Sequence, residues 1–167
     1  MEKSLLQTAK LISKLYGAYS DMVYRLCITL LKNPFDAEDA VQNTFLKLIH
    51  SRKSFEGPEH EKAWLIVTAT NTCKDTLRRA SRRDEPLDAW EMQAPDLNSD
   101  PATADVLDAV RSLPLKYRTP VYLYYYEGYS GAEIAALLHR PASTIRNYLY
   151  EARKELRKQL GGDFDAE

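Results

Sequence analysis

Toward the end of the chain, Ser143, Thr144, Arg146, Asn147, Tyr150 and Lys154 bring together side chains whose natural chemistry is recognition rather than catalysis. An arginine offers a two-pronged fork to guanine, an asparagine matches the edge of adenine, and a serine or threonine hydroxyl reaches a base or a phosphate. Lys154, with Arg157 and Lys158 beyond it, is placed to follow phosphates. A surface helix of a plain bundle has the same polar face with its charges merely solvated, and Glu151 counts against tight contact with a polyanion. A second cluster, "KDTLRRASRR" from Lys74 to Arg83, is more strongly basic and lies far away in the sequence. Arginines clustered in this way suit contact with a nucleic-acid backbone.

The elements that must hold these residues read as helices almost throughout. On a wheel of the last segment, Ile145, Leu149, Ala152, Leu156 and Leu160 share a narrow arc, opposite Ser143, Arg146, Asn147, Tyr150, Lys154 and Arg157. Ahead of it, Ser130 and Glu133 form a capping-box pair that opens a short helix from Ala132 to Leu138, and "HRPA" makes the turn. A short capped helix, a tight turn and an amphipathic helix is the helix-turn-helix plan, in which the start of the second helix enters the major groove. Further upstream, "RTPVYLYYYEGY" predicts another helix ended by Gly128, with an unusual run of tyrosines expected to pack with their hydroxyls at the rim.

In the first half, apolar residues from Leu5 to Leu31 recur at helical spacing until Asn33-Pro34 stops them. Asp36 is then expected to cap a second helix whose apolar stripe is Ala40, Val41, Phe45, Leu48 and Ile49. A third helix is expected from Glu59 to Arg83, although its middle, "VTATNTC", has the composition of a strand. Between residues 84 and 103 the chain carries six acids, three prolines and no Lys or Arg, the signature of a linker, with Trp90 as an odd inclusion. The fold expected is therefore all-α: a helical domain over 1–83, an acidic flexible linker over 84–103, and a helix-turn-helix domain over 104–167.

The bounds agree. A chain of 167 residues with net charge −1 is no bulk polycation, so any nucleic-acid contact must come from local patches. Two cysteines, Cys27 and Cys73, stand singly in amphipathic segments and are expected to be small buried hydrophobes in a reducing compartment. The opening residues lack a basic stretch followed by an apolar run, no segment has the length of a membrane span, and a cytoplasmic protein is expected. His50, His60 and His139 are scattered, without metal spacing, and no glycine-rich phosphate loop is present, so no cofactor, metal or catalytic site is expected.

Three segments together resemble a known family. "DAEDAVQNTFLKL" (36–48) and "AWLIVTATNTCKDTLRR" (63–79) resemble region 2 of bacterial RNA polymerase sigma factors, and residues 112–157 resemble region 4, in the compact arrangement of the extracytoplasmic-function (ECF) group. The resemblance implies that Asp36, Glu38, Asp39, Gln42 and Phe45 dock on core RNA polymerase. It implies that Asn71, Lys74, Asp75, Arg78 and Arg79 lie along the melted −10 strand of promoter DNA, with the loop from Phe55 to His60 forming part of a base pocket. It implies that the last helix reads the −35 element, and that an anti-sigma factor acts as regulator. Where the family commonly has an acid after the glutamine this chain has Asn43, which weakens the electrostatic part of docking. Two commonly basic positions of the last helix carry Tyr148 and Glu151, a departure that bears on the −35 sequence rather than on the architecture. Two readings without polymerase are a DNA-binding regulator, which would have no need of the 36–45 motif, and a helical adaptor that binds proteins alone.

Overall fold

The computed structural model describes residues 2–82 and 101–161, with side chains from 4 and from 106 in the two stretches. Trp90 and Arg83 lie outside the described residues. Those residues form seven α-helices and no strand, and the chain divides into two compact units, Met1–Ala94 and Pro95–Glu167.

The first unit packs α1 (Glu2–Leu31), α2 (Pro34–Ser51) and α3 (Pro58–Arg82) against one another. The helix break after Leu31 is set by Lys32 in the left-handed region and by Asn33, whose side chain accepts from the backbone N–H groups of Phe35 at 2.9 Å and Asp36 at 3.4 Å. Pro34 occupies the first helical position, where its missing N–H costs nothing. The cap is thus Asn33, and Asp36 stands inside the first turn, where a carboxylate still favours the helix dipole. Leu15, Leu26, Leu30, Leu48, Leu65 and Ile66 are buried, with Ala37, Ala40 and Ala69 allowing close approach of the helices. Ile49, expected in this core, is 41% exposed.

The strand-like middle of α3 is helical although its threonines are only partly satisfied locally: the buried Thr70 hydroxyl has no hydrogen-bond partner among the described residues. Thr72 Oγ1 donates to the carbonyl of Thr68 at 2.8 Å and Thr76 Oγ1 to that of Thr72 at 3.1 Å. Lys47 Nζ donates to the same Thr72 hydroxyl at 2.8 Å, tying α2 to α3. The helical period carries Leu65, Ile66, Ala69 and Cys73 into the core together, and that burial outweighs local strand propensity.

The second unit contains α4 (Pro101–Ser112), α5 (Leu115–Tyr125), α6 (Gly131–Leu138) and α7 (Ala142–Leu160). Helix α4 begins at Pro101, so the last three residues of the expected linker are helical. Helix α5 begins earlier than the sequence indicates and carries Pro120 within it, buried. Val110, Leu113, Val121, Leu123, Ile134, Ile145, Leu149, Ala152 and Leu156 fill the core, in which α7 meets α4, α5 and α6. Arg118 is buried, and its Nε and Nη2 donate to the carbonyl of Leu113 at 3.2 and 2.9 Å, closing the corner between α4 and α5.

Candidate nucleic-acid and protein interfaces

The corner between α6 and α7 is built as the sequence predicts. Ser130 Oγ accepts from the N–H of Glu133 at 3.1 Å, and Glu133 Oε1 accepts from the N–H of Ser130 at 3.1 Å. The Ser130 N–H and then the Ser130 hydroxyl, both facing the carboxylate, hold the Glu133 carboxyl below its ordinary pKa. His139 ends α6 in the left-handed conformation, the N–H of Arg140 returns to the carbonyl of Ala135 at 3.0 Å, and Pro141 starts α7. On α7, Ser143, Arg146, Asn147, Tyr150 and Lys154 are exposed and Thr144 is half-buried, while Ile145, Leu149, Ala152 and Leu156 face the core. Arg146, Asn147 and Tyr150 line a groove shared with Arg153, with Tyr124 of α5, and with Gly131 and Ala132 of α6.

The two departures in α7 are half-buried on its flank. Tyr148 packs edge-on to Tyr117, ring centroids 5.5 Å apart, and Glu151 stands on the same side of the helix as Glu155, four residues on. Arg146, Arg153 and Arg157 follow one another along the opposite edge. Glu151, expected to oppose contact with a polyanion, thus stands away from that arginine edge, beside Glu155 and Lys158.

On α3, Asn71, Asp75, Arg78 and Arg79 are exposed and Lys74 is half-buried, all along one stripe at helical spacing. Arg78 Nη1 donates to Asp75 Oδ1 at 3.4 Å, an exposed pair worth little to stability that orients the guanidinium along the helix. One turn-pair earlier on the same face stands Trp64, half-buried, with Phe55 edge-on to it at 5.9 Å and to His60 at 5.2 Å. The N–H of Glu56 donates to His60 Nδ1 at 3.3 Å and folds the loop back on the helix. An aromatic cluster thus stands at one end of an amide- and arginine-bearing stripe, an arrangement suited to stacking and holding unpaired bases.

On α2, Asp36, Glu38, Asp39 and Gln42 are exposed, and Asp39 Oδ2 accepts from Asn43 Nδ2 at 3.3 Å. Phe45 is 5% exposed and sits edge-on to Tyr16 at 5.0 Å, so the ring expected as the aromatic anchor of a docking patch is a core side chain in this structure. The apolar side chains left on that outer face are Phe35 (62% exposed), Leu46 (48%) and Ile49 (41%), in line with Glu38 and Gln42. Sequence reasoning missed Phe35 and Leu46 as surface residues; their helical phase, shared with Gln42 rather than with Ala40 and Val41, was the available signal.

Cys27 and Cys73 are both buried and unbridged. A hydrogen bond to Cys27, then burial, pushes the Cys73 thiol pKa far up, so it stays protonated and unreactive. Among the described residues no helix is long and apolar enough to cross a membrane.

The family model for sigma-70 region 2 matches residues 15–83, and that for sigma-70 region 4 matches residues 103–156. The chain belongs to the sigma-70 family, in its ECF group. Over 156 residues it is 35% identical to the ECF RNA polymerase sigma factor SigE of Mycolicibacterium smegmatis, covering 88% of this chain and 60% of that protein. Over 159 residues it is 33% identical to the ECF RNA polymerase sigma factor SigW of Bacillus subtilis, covering 85% of this chain and 84% of the relative. Among solved structures, the sigma factor RpoE of Bartonella quintana, crystallised with the anti-sigma factor NepR, matches with a TM-score of 0.73 at 24% identity, over 92% of this chain and 99% of that one. CnrH, in complex with the cytosolic domain of CnrY, matches with a TM-score of 0.66 at 21% identity, over 97% and 95%. At these identities the likeness is one of fold. Helices α2 and α3 lie within sigma region 2 and the α6–α7 corner within region 4.

Proposed function

We propose that this sigma factor divides promoter recognition among three exposed helix faces. The outer face of α2, with Asp36, Glu38, Asp39 and Gln42 and the apolar Phe35, Leu46 and Ile49, docks on core RNA polymerase. Acidic and amide groups around solvent-exposed apolar anchors are what a specific protein interface requires. The stripe Asn71, Lys74, Asp75, Arg78 and Arg79, with the Phe55–Trp64 cluster at its end, holds the unpaired −10 strand. The outer face of α7, with Ser143, Thr144, Arg146, Asn147, Tyr150 and Lys154, reads the −35 duplex. The protein acts by binding in the cytoplasm, where polymerase and promoter are; bond formation stays with the polymerase.

The observation that carries this reading is that the functional residue types stand exposed, or half-buried at Lys74 and Thr144, in stripes on α2, α3 and α7 within the matched sigma regions. The test is run-off transcription by purified bacterial core polymerase plus this protein across a library of randomised −35 and −10 elements. Specific initiation, with both elements enriched, is expected. No initiation and no co-elution with core at low salt would leave a polymerase-independent regulator.

An anti-sigma factor as regulator is supported by the solved relatives, since RpoE and CnrH were each captured with a partner protein. Transcription by the purified chain is then expected to exceed that in lysate from unstressed cells. Equal activity in both, with no regulator co-purifying, would remove the proposal.

A further inference from the structure

The tyrosine run of α5 is absorbed by none of these roles, and the structure gives part of it one. Tyr125 Oη accepts from Arg153 Nε at 3.0 Å, and the Arg153 guanidinium lies over the ring of Tyr124, 5.3 Å from its centroid. Arg153 thus reaches from α7 back to α5, is half-buried there, and has no carboxylate partner among the described residues. Its Nε is engaged and one face is covered by an aromatic ring, while the two Nη groups are left for a ligand. The guanidinium borders the groove lined by Arg146, Asn147 and Tyr150, and Gly131 and Ala132, with almost no side chain, keep the far wall open.

We propose that Arg153, held by Tyr124 and Tyr125, is a preset fork for a backbone phosphate of the −35 duplex; the proposal rests on the reading of α7 as the −35 helix and deepens it. A planar guanidinium with fixed orientation matches a phosphodiester through two parallel N–H donors and gives up less freedom on binding than a free side chain does. The charge of α7 favours one side of the helix. Arg146, Arg153 and Arg157 form one edge, whereas the other holds Glu151 and Glu155 with Lys158, so a phosphate backbone is drawn more strongly to the groove side than to the flank. Tyr125, outside the groove lining, is a positioning residue that acts through Arg153, while Tyr124 covers one face of the guanidinium from the groove wall.

The experiment uses the full chain reconstituted with core polymerase and the promoter duplex recovered by run-off selection, with DNA affinity measured over a salt series. Arg153→Gln is expected to weaken binding about tenfold, alike for all promoter variants, and to make the slope of log K against log salt shallower by about 0.9, the loss of one phosphate contact. Tyr125→Phe keeps the ring and the charge, so about threefold weaker binding with the wild-type slope is expected. Arg153→Lys, should the glutamine variant lose helix content, is likewise expected to keep the slope and lose affinity. Wild-type affinity in both Tyr125→Phe and Arg153→Lys, or a wild-type slope in a folded Arg153→Gln, overturns the fork. If Arg146→Ala still changes sequence preference, the −35 reading stands without it. If Arg146→Ala, Lys154→Ala and Arg153→Gln all bind as wild type does, the −35 reading falls and takes the fork with it. A defect confined to binding an acidic protein partner, with DNA affinity and slope unchanged, also overturns it.

Discussion

In the N-terminal unit each recognition stripe is the work of one helix. Asn71, Asp75, Arg78 and Arg79 project from α3, whose inner face is buried independently of them. In the C-terminal unit the recognition helix is braced from outside: Arg153 is held by α5, Tyr148 rests on Tyr117, and Ser112 Oγ donates to Gln159 Oε1 at 3.0 Å from the end of α4. The difference follows from helix length. Helices of 30, 18 and 25 residues bury enough of one another to leave outer faces free for function, with Lys47–Thr72 as a bridge on their inner side, whereas α7 packs on short neighbours, α5 and α6 at 11 and 8 residues, and side-chain bridges help to fix its angle. Function and stability are expected to separate in the first unit and to be entangled in the second.

The sharpest test lies within α2, where Phe45 and Ile49 are one turn apart on opposite sides of the core boundary. Phe45→Ala removes a buried ring and is expected to cost about 3–5 kcal/mol of folding stability, seen as a lower denaturant midpoint. Ile49→Glu is expected to leave that midpoint nearly unchanged and to weaken core polymerase binding at least tenfold, measured by titration against labelled core. If Ile49→Glu unfolds the protein instead, the outer face of α2 is core and the docking patch lies elsewhere. Next in size, Arg78→Glu with Arg79→Glu is expected to reduce run-off transcription about a hundredfold, with circular dichroism unchanged, because two exposed cations become two anions facing a phosphate backbone. A protein-only adaptor would keep its function in that variant.

Much of this was legible in the sequence because helical period and capping chemistry are local. The capping box of Ser130 and Glu133, the turn at His139 to Pro141 and the division of α7 into buried and exposed arcs follow from residues within a few positions of one another. Cys27 and Cys73 were legible as buried by the same logic. The misreadings have a common cause. Phe45 and Ile49 both fit an apolar stripe of α2, and only the neighbours at Tyr16 and along α1 and α3 decide which is covered. Asn33 rather than Asp36 is the cap because Pro34 fixes where the helix can begin, so the donor positions fall two and three residues after Asn33. The tyrosine run was legible as helix packing, but the bridge from Tyr125 to Arg153 was not, since the two are 28 residues apart and meet only through the packing of α5 on α7.

The entanglement expected of the second unit can be measured at Arg118. Its guanidinium, whose pKa burial pulls down, is buried and bonds twice to the Leu113 carbonyl, away from the residues assigned to the DNA face. Arg118→Met leaves that carbonyl without its guanidinium donors and is expected to cost about 1–3 kcal/mol. The loss should appear in the melting of the C-terminal unit alone, and DNA affinity should fall with it as the temperature approaches that transition. Two transitions shifting together would show that the units fold as one.

The smallest effect expected concerns the cap that opens α6. Ser130→Ala removes the hydroxyl that accepts from the Glu133 N–H and is expected to cost about 1 kcal/mol. The carboxylate half of the cap can be isolated by pH. Glu133 has its pKa lowered in the folded state by the Ser130 N–H and then by the hydroxyl, so the unfolded chain binds its proton more readily. The stabilisation is therefore complete above the ordinary glutamate range and disappears as pH falls through it to the lower folded value. Glu133→Gln keeps a side-chain acceptor for the Ser130 N–H but cannot titrate, so the C-terminal unit of that variant should lose less stability between neutral and acid pH than the wild type. Chemical denaturation at a series of pH values checks this. Parallel curves would mean that the charge on Glu133 adds nothing to the cap, and that the serine hydroxyl alone fixes where the helix-turn-helix begins.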